Sequence, residues 1–229
     1  MQIITQQVTG FNNKLCQVKT LKLLLTVVIF LVFFPETWYH FCCIQPTKLI
    51  FITTGGSLKN ATKLTKPIFL CGYTNSGKTT IGKELARQLD VPFYDTDELI
   101  TSQTGQTPQQ IFASQGNEAF RNIEHEITKQ VSSYSPCVIS TGGGLLTYSR
   151  NGDLLSKAGT IIYLNRPFED CYKSLMRNPD RPLIKNNTKE ELLDRYNKRA
   201  VSYEAYAAFT VKNDRTPQAT ARHIIELLF

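Results

Sequence analysis

From residue 66 onward the chain alternates two hydrophobic patterns. Residues 67–71 are a short apolar run of strand length, after which Ile81, Leu85 and Leu89 recur at helical spacing. Residues 91–94 form a second short run that ends at Asp95, and residues 117–133 read as a helix with Phe120, Ile123, Ile127 and Val131 as its apolar stripe. Residues 136–140 give a third strand, running into Thr141-Gly142-Gly143-Gly144, and residues 160–164 a fourth. A helix over 169–177, a polar loop over 178–187 broken by Pro179 and Pro182, a long helix over 189–206, a fifth strand over 209–212 and a closing helix over 217–228 complete the reading. Strands alternating with helices imply an α/β fold, a five-stranded parallel sheet between two helical layers. Ligands of such sheets sit beyond the C-terminal strand ends. Gly72 onward, Asp95 with Asp97, and Gly142 to Gly144 fall there.

Residues 1–65 follow a different pattern. Leu23 to Phe34 is almost purely apolar and preceded by Lys14, Lys19 and Lys22. The run is too short for a transmembrane helix, which needs about 20 residues. No small-residue cleavage site follows, and the segment lacks the arginine of a transit peptide. Three readings stay open: an interfacial or membrane anchor, an extension without fixed structure, or a start assigned too early. Lysines ahead of the run would hold the N-terminus in the cytoplasm and export the rest, away from ATP. That favours the third reading and makes residues 66–229 the working domain, with membrane contact expected only if residues 1–65 are real.

Charge follows the same division. The first 65 residues carry six Lys and one acid, so they hold +5 of the net +7, and the body is nearly neutral. A basic nucleic-acid-binding face is therefore not expected. Six Cys without a C-x-x-C pair argue against a disulfide scaffold, and three scattered His argue against a His-rich metal site. Cys71 and Cys137 read as small buried residues, and His125 and His223 as surface or packing residues.

The strongest chemical signal is Gly72-Tyr73-Thr74-Asn75-Ser76-Gly77-Lys78-Thr79, the pattern G-x-x-x-x-G-K-T between a strand and a helix. The glycines let the backbone bend so that its N–H groups, with the helix N-terminus, cradle phosphates. Lys78 brings positive charge to the β and γ oxygens, and Thr79 a hydroxyl to Mg²⁺. By itself this loop indicates a nucleoside triphosphate and nothing narrower.

Further motifs follow in order: Phe93-Tyr94-Asp95-Thr96-Asp97, Phe120-Arg121 with Glu124, Gly142-Gly143-Gly144, Arg181-Pro182-Leu183, and Arg199 with Tyr203. Together with the loop they make residues 66–229 resemble shikimate kinase, a P-loop kinase of the nucleoside-monophosphate-kinase type with a lid. The resemblance implies ATP and Mg²⁺ as cofactors and shikimate as the small-molecule partner. Nucleotide contacts would come from Gly72, Asn75, Ser76, Gly77, Lys78, Thr79 and Thr80, with Arg177, Arg215 and Pro217 framing the adenine. Thr79 and Asp95 would serve the metal. Asp97 would accept hydrogen bonds from substrate hydroxyls and orient the one that attacks. Arg121 and Arg199 would grip the substrate carboxylate, with Glu124 holding Arg121, and Gly142, Gly143 and Gly144 would let substrate approach the backbone. Lys78, Asp97 and Arg181 would be the catalytic set, Arg181 closing from the lid onto the transferring phosphate.

The bare chemistry agrees with this. A hydroxylated acid needs cations for its carboxylate and acceptors for its hydroxyls, and an arginine fork matches a carboxylate in two parallel hydrogen bonds. Plainer readings stand beside it. Asp95 and Asp97 could cap a helix, Arg121 and Glu124 could be a surface pair, and Arg195 could replace Arg199 as the carboxylate ligand. A kinase for gluconate or a nucleoside monophosphate, and a nucleotide-binding regulator without catalysis, are the rival functions. One departure from the family is Asn75, where glycine is usual. A cytoplasmic monomer is expected, since no exposed apolar stripe in the body calls for a partner.

Overall fold

The computed structural model describes residues 64–178 and 182–229. The extension expected over residues 1–65, apart from its last two residues, lies outside them, as does Arg181. Five strands, β1 (Ile68–Cys71), β2 (Phe93–Asp95), β3 (Val138–Ser140), β4 (Thr160–Asn165) and β5 (Phe209–Lys212), form one all-parallel sheet in the order β2-β3-β1-β4-β5. Among the described residues eight α-helices accompany it: α1 (Lys78–Leu89), α2 (Thr96–Thr104), α3 (Pro108–Ser132), α4 (Ser149–Ala158), α5 (Phe168–Leu175), α6 (Pro182–Lys185), α7 (Lys189–Tyr206) and α8 (Pro217–Leu228). The five strands expected from the sequence are all present.

The period-two alternation of the strands sorts two separate cores. Ile68 and Leu70 of β1, with Ile162 and Leu164 of β4, pack under Ile81 and Leu85 of α1 and Ala221 and Ile224 of α8. Phe69 and Cys71, with Ile161 and Tyr163, face the other way, onto Ile127 of α3, Leu155 of α4 and Tyr203 of α7. All four β1 residues are buried, because a central parallel strand is covered on both faces. This is the three-layer α/β/α arrangement. Cys71 lies wholly inside it, and burial pushes its thiol up to about 12, so it packs as an inert small residue.

The sequence reading lacks α2 and α4. α4 contains Asn151 and Gly152, poor helix formers. It is held by tertiary contacts: Asn151 Nδ2 donates to the Leu145 carbonyl at 3.1 Å, and Gly152 sits against the Tyr206 ring. The helix expected over 117–133 is the second half of α3. The first half begins at Pro108 behind a Thr107–Gln110 capping box, and the two meet at Gly116, whose backbone is non-helical (φ 82°, ψ 180°). The loop expected over 178–187 contains α6, whose Leu183 and Ile184 pack against Tyr73, Cys171 and Leu175. No described helix is long and apolar enough to cross a membrane.

Gly159 precedes β4 at a point where a Cβ would fall on the carbonyl oxygen of Pro67, a backbone atom. Gly159→Ala must therefore part the start of β4 from the entry to β1. It is expected to destabilise the fold by about 1–3 kcal/mol, read by urea denaturation, and stability equal to the parent's would show that the two strands are not so tightly joined.

Candidate active site

The loop Gly72–Lys78 joins central β1 to α1, and it is bent at Gly72 (φ 145°), Asn75 (φ 63°) and Gly77 (φ 99°). Asn tolerates left-handed backbone better than other residues with side chains, so the turn survives the departure from glycine. Gly77 is the N-cap of α1, and no side chain caps this helix. Its first-turn N–H groups are thus left for a ligand, and the helix dipole favours an anion there. Lys78 Nζ folds back and donates to the carbonyls of Gly72 and Tyr73, at 3.0 Å each. Burial lowers the pKa of this ammonium, and the carboxylates of Asp97 and Asp95 pull it back up. Ser76 is fully buried in the loop, and Thr80 is exposed on α1.

Asp95, at the end of β2, does two things at once. Its Oδ1 accepts from the Asp97 N–H at 3.0 Å and so caps α2, while its Oδ2 accepts from the Thr79 hydroxyl at 3.0 Å. The plain capping reading holds for this residue, and the same carboxylate reaches the phosphate loop through Thr79. The hydroxyl and carboxylate are hard oxygen donors beside the phosphate loop. That type and small number suit Mg²⁺, which keeps most of its shell as water and phosphate oxygens. No cluster of three His, Cys, Asp or Glu that could hold a metal occurs among the described residues.

The glycine triplet after β3 is where the remaining residues meet. A Cβ on Gly142 would lie 2.8 Å from Asp97 Oδ1 and 3.3 Å from Glu124 Oε1. One on Gly143 would lie 3.2 Å from Arg199 Nη1, and one on Gly144 2.8 Å from Arg121 Nη1. Each glycine gives its space to a different charged side chain. Arg121 is further fixed by Glu124 Oε2 at 2.7 Å and lies over the rings of Phe120 and Tyr148. Glu124 is 2% exposed, so the pair is interior and the surface-pair reading fails. Burial raises the pKa of Glu124, opposed by Arg121. Asp97 opens to solvent on one side and is crowded by protein on the others. That crowding, and then the Asp95 carboxylate, raise its pKa against the pull of Lys78 and Arg121.

α7 supplies Arg199, whose guanidinium reaches Gly143 and the Tyr73 ring, while one turn on the Tyr203 hydroxyl donates to the Gly143 carbonyl. Arg195 turns aside, donating to Asn187 at 3.0 Å, so the geometry favours Arg199. Arg177 is exposed just past α5, Arg215 is exposed beside Asp214, and Pro217 opens α8, three positions expected to frame the adenine beyond the phosphate loop. Two residues that the sequence reading missed do touch it. Arg166 Nη1 donates to the Asn75 carbonyl at 2.9 Å, and Asn213 Nδ2 to the Ser76 carbonyl at 2.6 Å. Their positions just past β4 and β5, at the ligand-bearing end of the sheet, were the available signal. His125 packs onto Asn151 at 2.7 Å, away from these groups.

A model of the shikimate kinase family matches residues 74–229. Shikimate kinases of Caldicellulosiruptor bescii and Synechococcus elongatus are 36% and 34% identical over 163 residues each. The first alignment covers 71% of this chain and 95% of the relative, the second 70% and 85%. Among solved structures, the shikimate kinase of Acinetobacter baumannii in complex with shikimate is 32% identical with a TM-score of 0.69, covering 74% of this chain and 96% of that one. The shikimate kinase of Bacteroides thetaiotaomicron gives 31% and 0.65, over 72% and 98%. The family match, the relatives above 30% identity and the shared fold agree, and the chain belongs to the shikimate kinase family.

Proposed function

We propose that the chain transfers the γ-phosphoryl group of ATP to the 3-hydroxyl of shikimate, giving shikimate 3-phosphate and ADP. The observation that carries this reading is the convergence of Asp97, Arg121 and Arg199 on three consecutive glycines, beside an uncapped phosphate loop. The arginines bind the ring carboxylate, and Asp97 accepts from the ring hydroxyls so that the attacking oxygen points at the γ-phosphate. Phosphoryl transfer asks little covalent chemistry of a protein; alignment and charge neutralisation suffice. Lys78 exchanges its two loop carbonyls for phosphate oxygens when nucleotide arrives. Thr79 and Asp95 hold Mg²⁺, which neutralises charge on the phosphates when bound.

Gly72, Asn75, Ser76, Gly77 and Thr80 complete the phosphate side, and Arg177, Arg215 and Pro217 frame the adenine. Arg181 is assigned from its motif alone to the transferring phosphate. The reaction draws on cytoplasmic ATP, and the chain acts there as a monomer. Gluconate and a nucleoside monophosphate also carry an anion that paired guanidinium groups can hold, so the choice of shikimate over them rests on the match to the family.

A coupled ADP-release assay with shikimate, gluconate and AMP side by side tests the substrate. Turnover is expected with shikimate alone, and a preference for either rival would overturn the assignment.

Gly144→Ala tests the carboxylate clamp without deleting a charge. Its methyl must displace Arg121, so the KM for shikimate is expected to rise about tenfold or more while that for ATP stays within about twofold. Equal changes in both constants would detach Arg121 from the acid substrate.

The pH profile tests Asp97. Acid protonates the carboxyl and removes its acceptor, so kcat/KM for shikimate falls as pH drops. Because the Asp97 pKa is raised, the acid limb is expected above the ordinary Asp value of about 3.9. A limb at or below that value would contradict the assignment.

A further inference from the structure

Two consecutive carbonyls of the phosphate loop are held from outside it. Arg166, one residue past β4, donates from Nη1 to the Asn75 carbonyl at 2.9 Å. Asn213, one residue past β5, donates from Nδ2 to the Ser76 carbonyl at 2.6 Å. In a trans peptide the C=O and the following N–H point in opposite directions. Fixing the Ser76 carbonyl outward therefore turns the Gly77 N–H inward. Fixing the Asn75 carbonyl likewise sets the Ser76 N–H, which closes the turn onto the Tyr73 carbonyl at 3.0 Å.

Asn75 is the weak point of this loop. Its φ of 63° is left-handed, a region that costs any residue with a Cβ more than glycine. A hydrogen bond on its carbonyl favours that turn over relaxed alternatives. Arg166 is well placed to supply it. Its own carbonyl accepts from the Tyr196 hydroxyl of α7 at 3.0 Å and from the Cys171 thiol at 3.7 Å, so its backbone is anchored. No carboxylate among the described residues pairs with its guanidinium, so its charge is left to act on an anion in the loop.

We propose that Arg166 is a positioning residue for ATP in this chain: it clamps the left-handed turn at Asn75 in the phosphate-accepting shape and adds unneutralised positive charge beside it. This rests on the reading that the loop binds ATP. It does not depend on which acid is phosphorylated.

The test uses the full chain with Arg166→Met, Arg166→Lys and Asn75→Gly, singly and combined, with ADP binding by calorimetry and both KM values by steady-state kinetics. Arg166→Met is expected to weaken ADP and raise the KM for ATP about tenfold, leaving the KM for shikimate within about twofold. Arg166→Lys keeps the charge and one donor and is expected to recover most of that loss. In the Asn75→Gly background Arg166→Met is expected to cost clearly less, since glycine holds the turn unaided. Unchanged ADP affinity in Arg166→Met, or the same loss in both backgrounds, would overturn the proposal. So would a parallel rise of both KM values with a lowered Tm, the signature of a merely structural residue. Should Arg166→Met fail to fold, Arg166→Lys with and without Asn75→Gly decides the same question. ADP binding is read without the acid substrate, so failure here leaves the substrate assignment standing.

Discussion

Three charged side chains from three helices meet on one stretch of backbone that has no side chains of its own. Asp97 comes from α2, Arg121 from α3 and Arg199 from α7, and each occupies the space that a Cβ on one glycine of the triplet would need. Everything else at the site is arranged around that close approach. Glu124 is buried to hold Arg121, Tyr203 donates to the Gly143 carbonyl to hold the triplet, and the Thr96 hydroxyl accepts from the Gly142 N–H at 2.8 Å. With larger residues at these positions the three charges would be pushed apart, and no small polyhydroxylated acid could be gripped from several sides at once.

The electrostatics of the site work against the fold and in favour of binding. Burial raises the pKa of Glu124, and crowding with a neighbouring carboxylate raises that of Asp97. A carboxyl whose pKa is higher folded than unfolded favours folding when protonated, so its contribution is lost as pH rises through the folded value. At neutral pH the ionised, buried Glu124 is therefore a burden on stability, offset in part by Arg121, while the exposed Asp97 is screened by solvent. Lys78 is strained in the opposite sense, its ammonium disfavoured by burial. Charges held in poor solvation gain more from a ligand of opposite sign than the same charges in water. The buried Lys78 ammonium thus gains from an anion in the loop, whereas Asp97 and Glu124 find their counter-charge in the Arg121 guanidinium.

The phosphate loop shows a division of labour within one segment. Gly72 and Gly77 bend the chain, Lys78 waits on the loop's own carbonyls, and Asp95 ties Thr79 to the end of β2 while capping α2. The sheet order puts β3 and β4 on either side of β1, so the loop opens at the switch point where connections part to left and right. That placement brings the ends of β4 and β5 alongside it.

What could be read from the sequence was what is local. The strand–loop–helix of β1 and α1 and the five apolar runs depend on neighbours a few positions apart, and hydrophobic period and turn chemistry report them directly. The motifs around Asp97, Arg121, the glycine triplet and Arg199 were legible as residue types in order, though not as one site. The sequence could not show that α4 forms around Asn151 and Gly152, because its support comes from Leu145 and Tyr206. It favoured Arg199 over Arg195 through the spacing to Tyr203, but only the folded chain shows Arg195 turned to Asn187 and Arg199 at Gly143. Arg166 and Asn213 carried only the signal of lying past a strand end, and their contacts were not legible: 91 and 137 residues separate them from the loop carbonyls they hold. The order of residues settled the elements and the chemistry available to them; the lateral order of the strands decided which of those residues touch, because contact across a parallel sheet is set by neighbouring strand ends and not by distance along the chain.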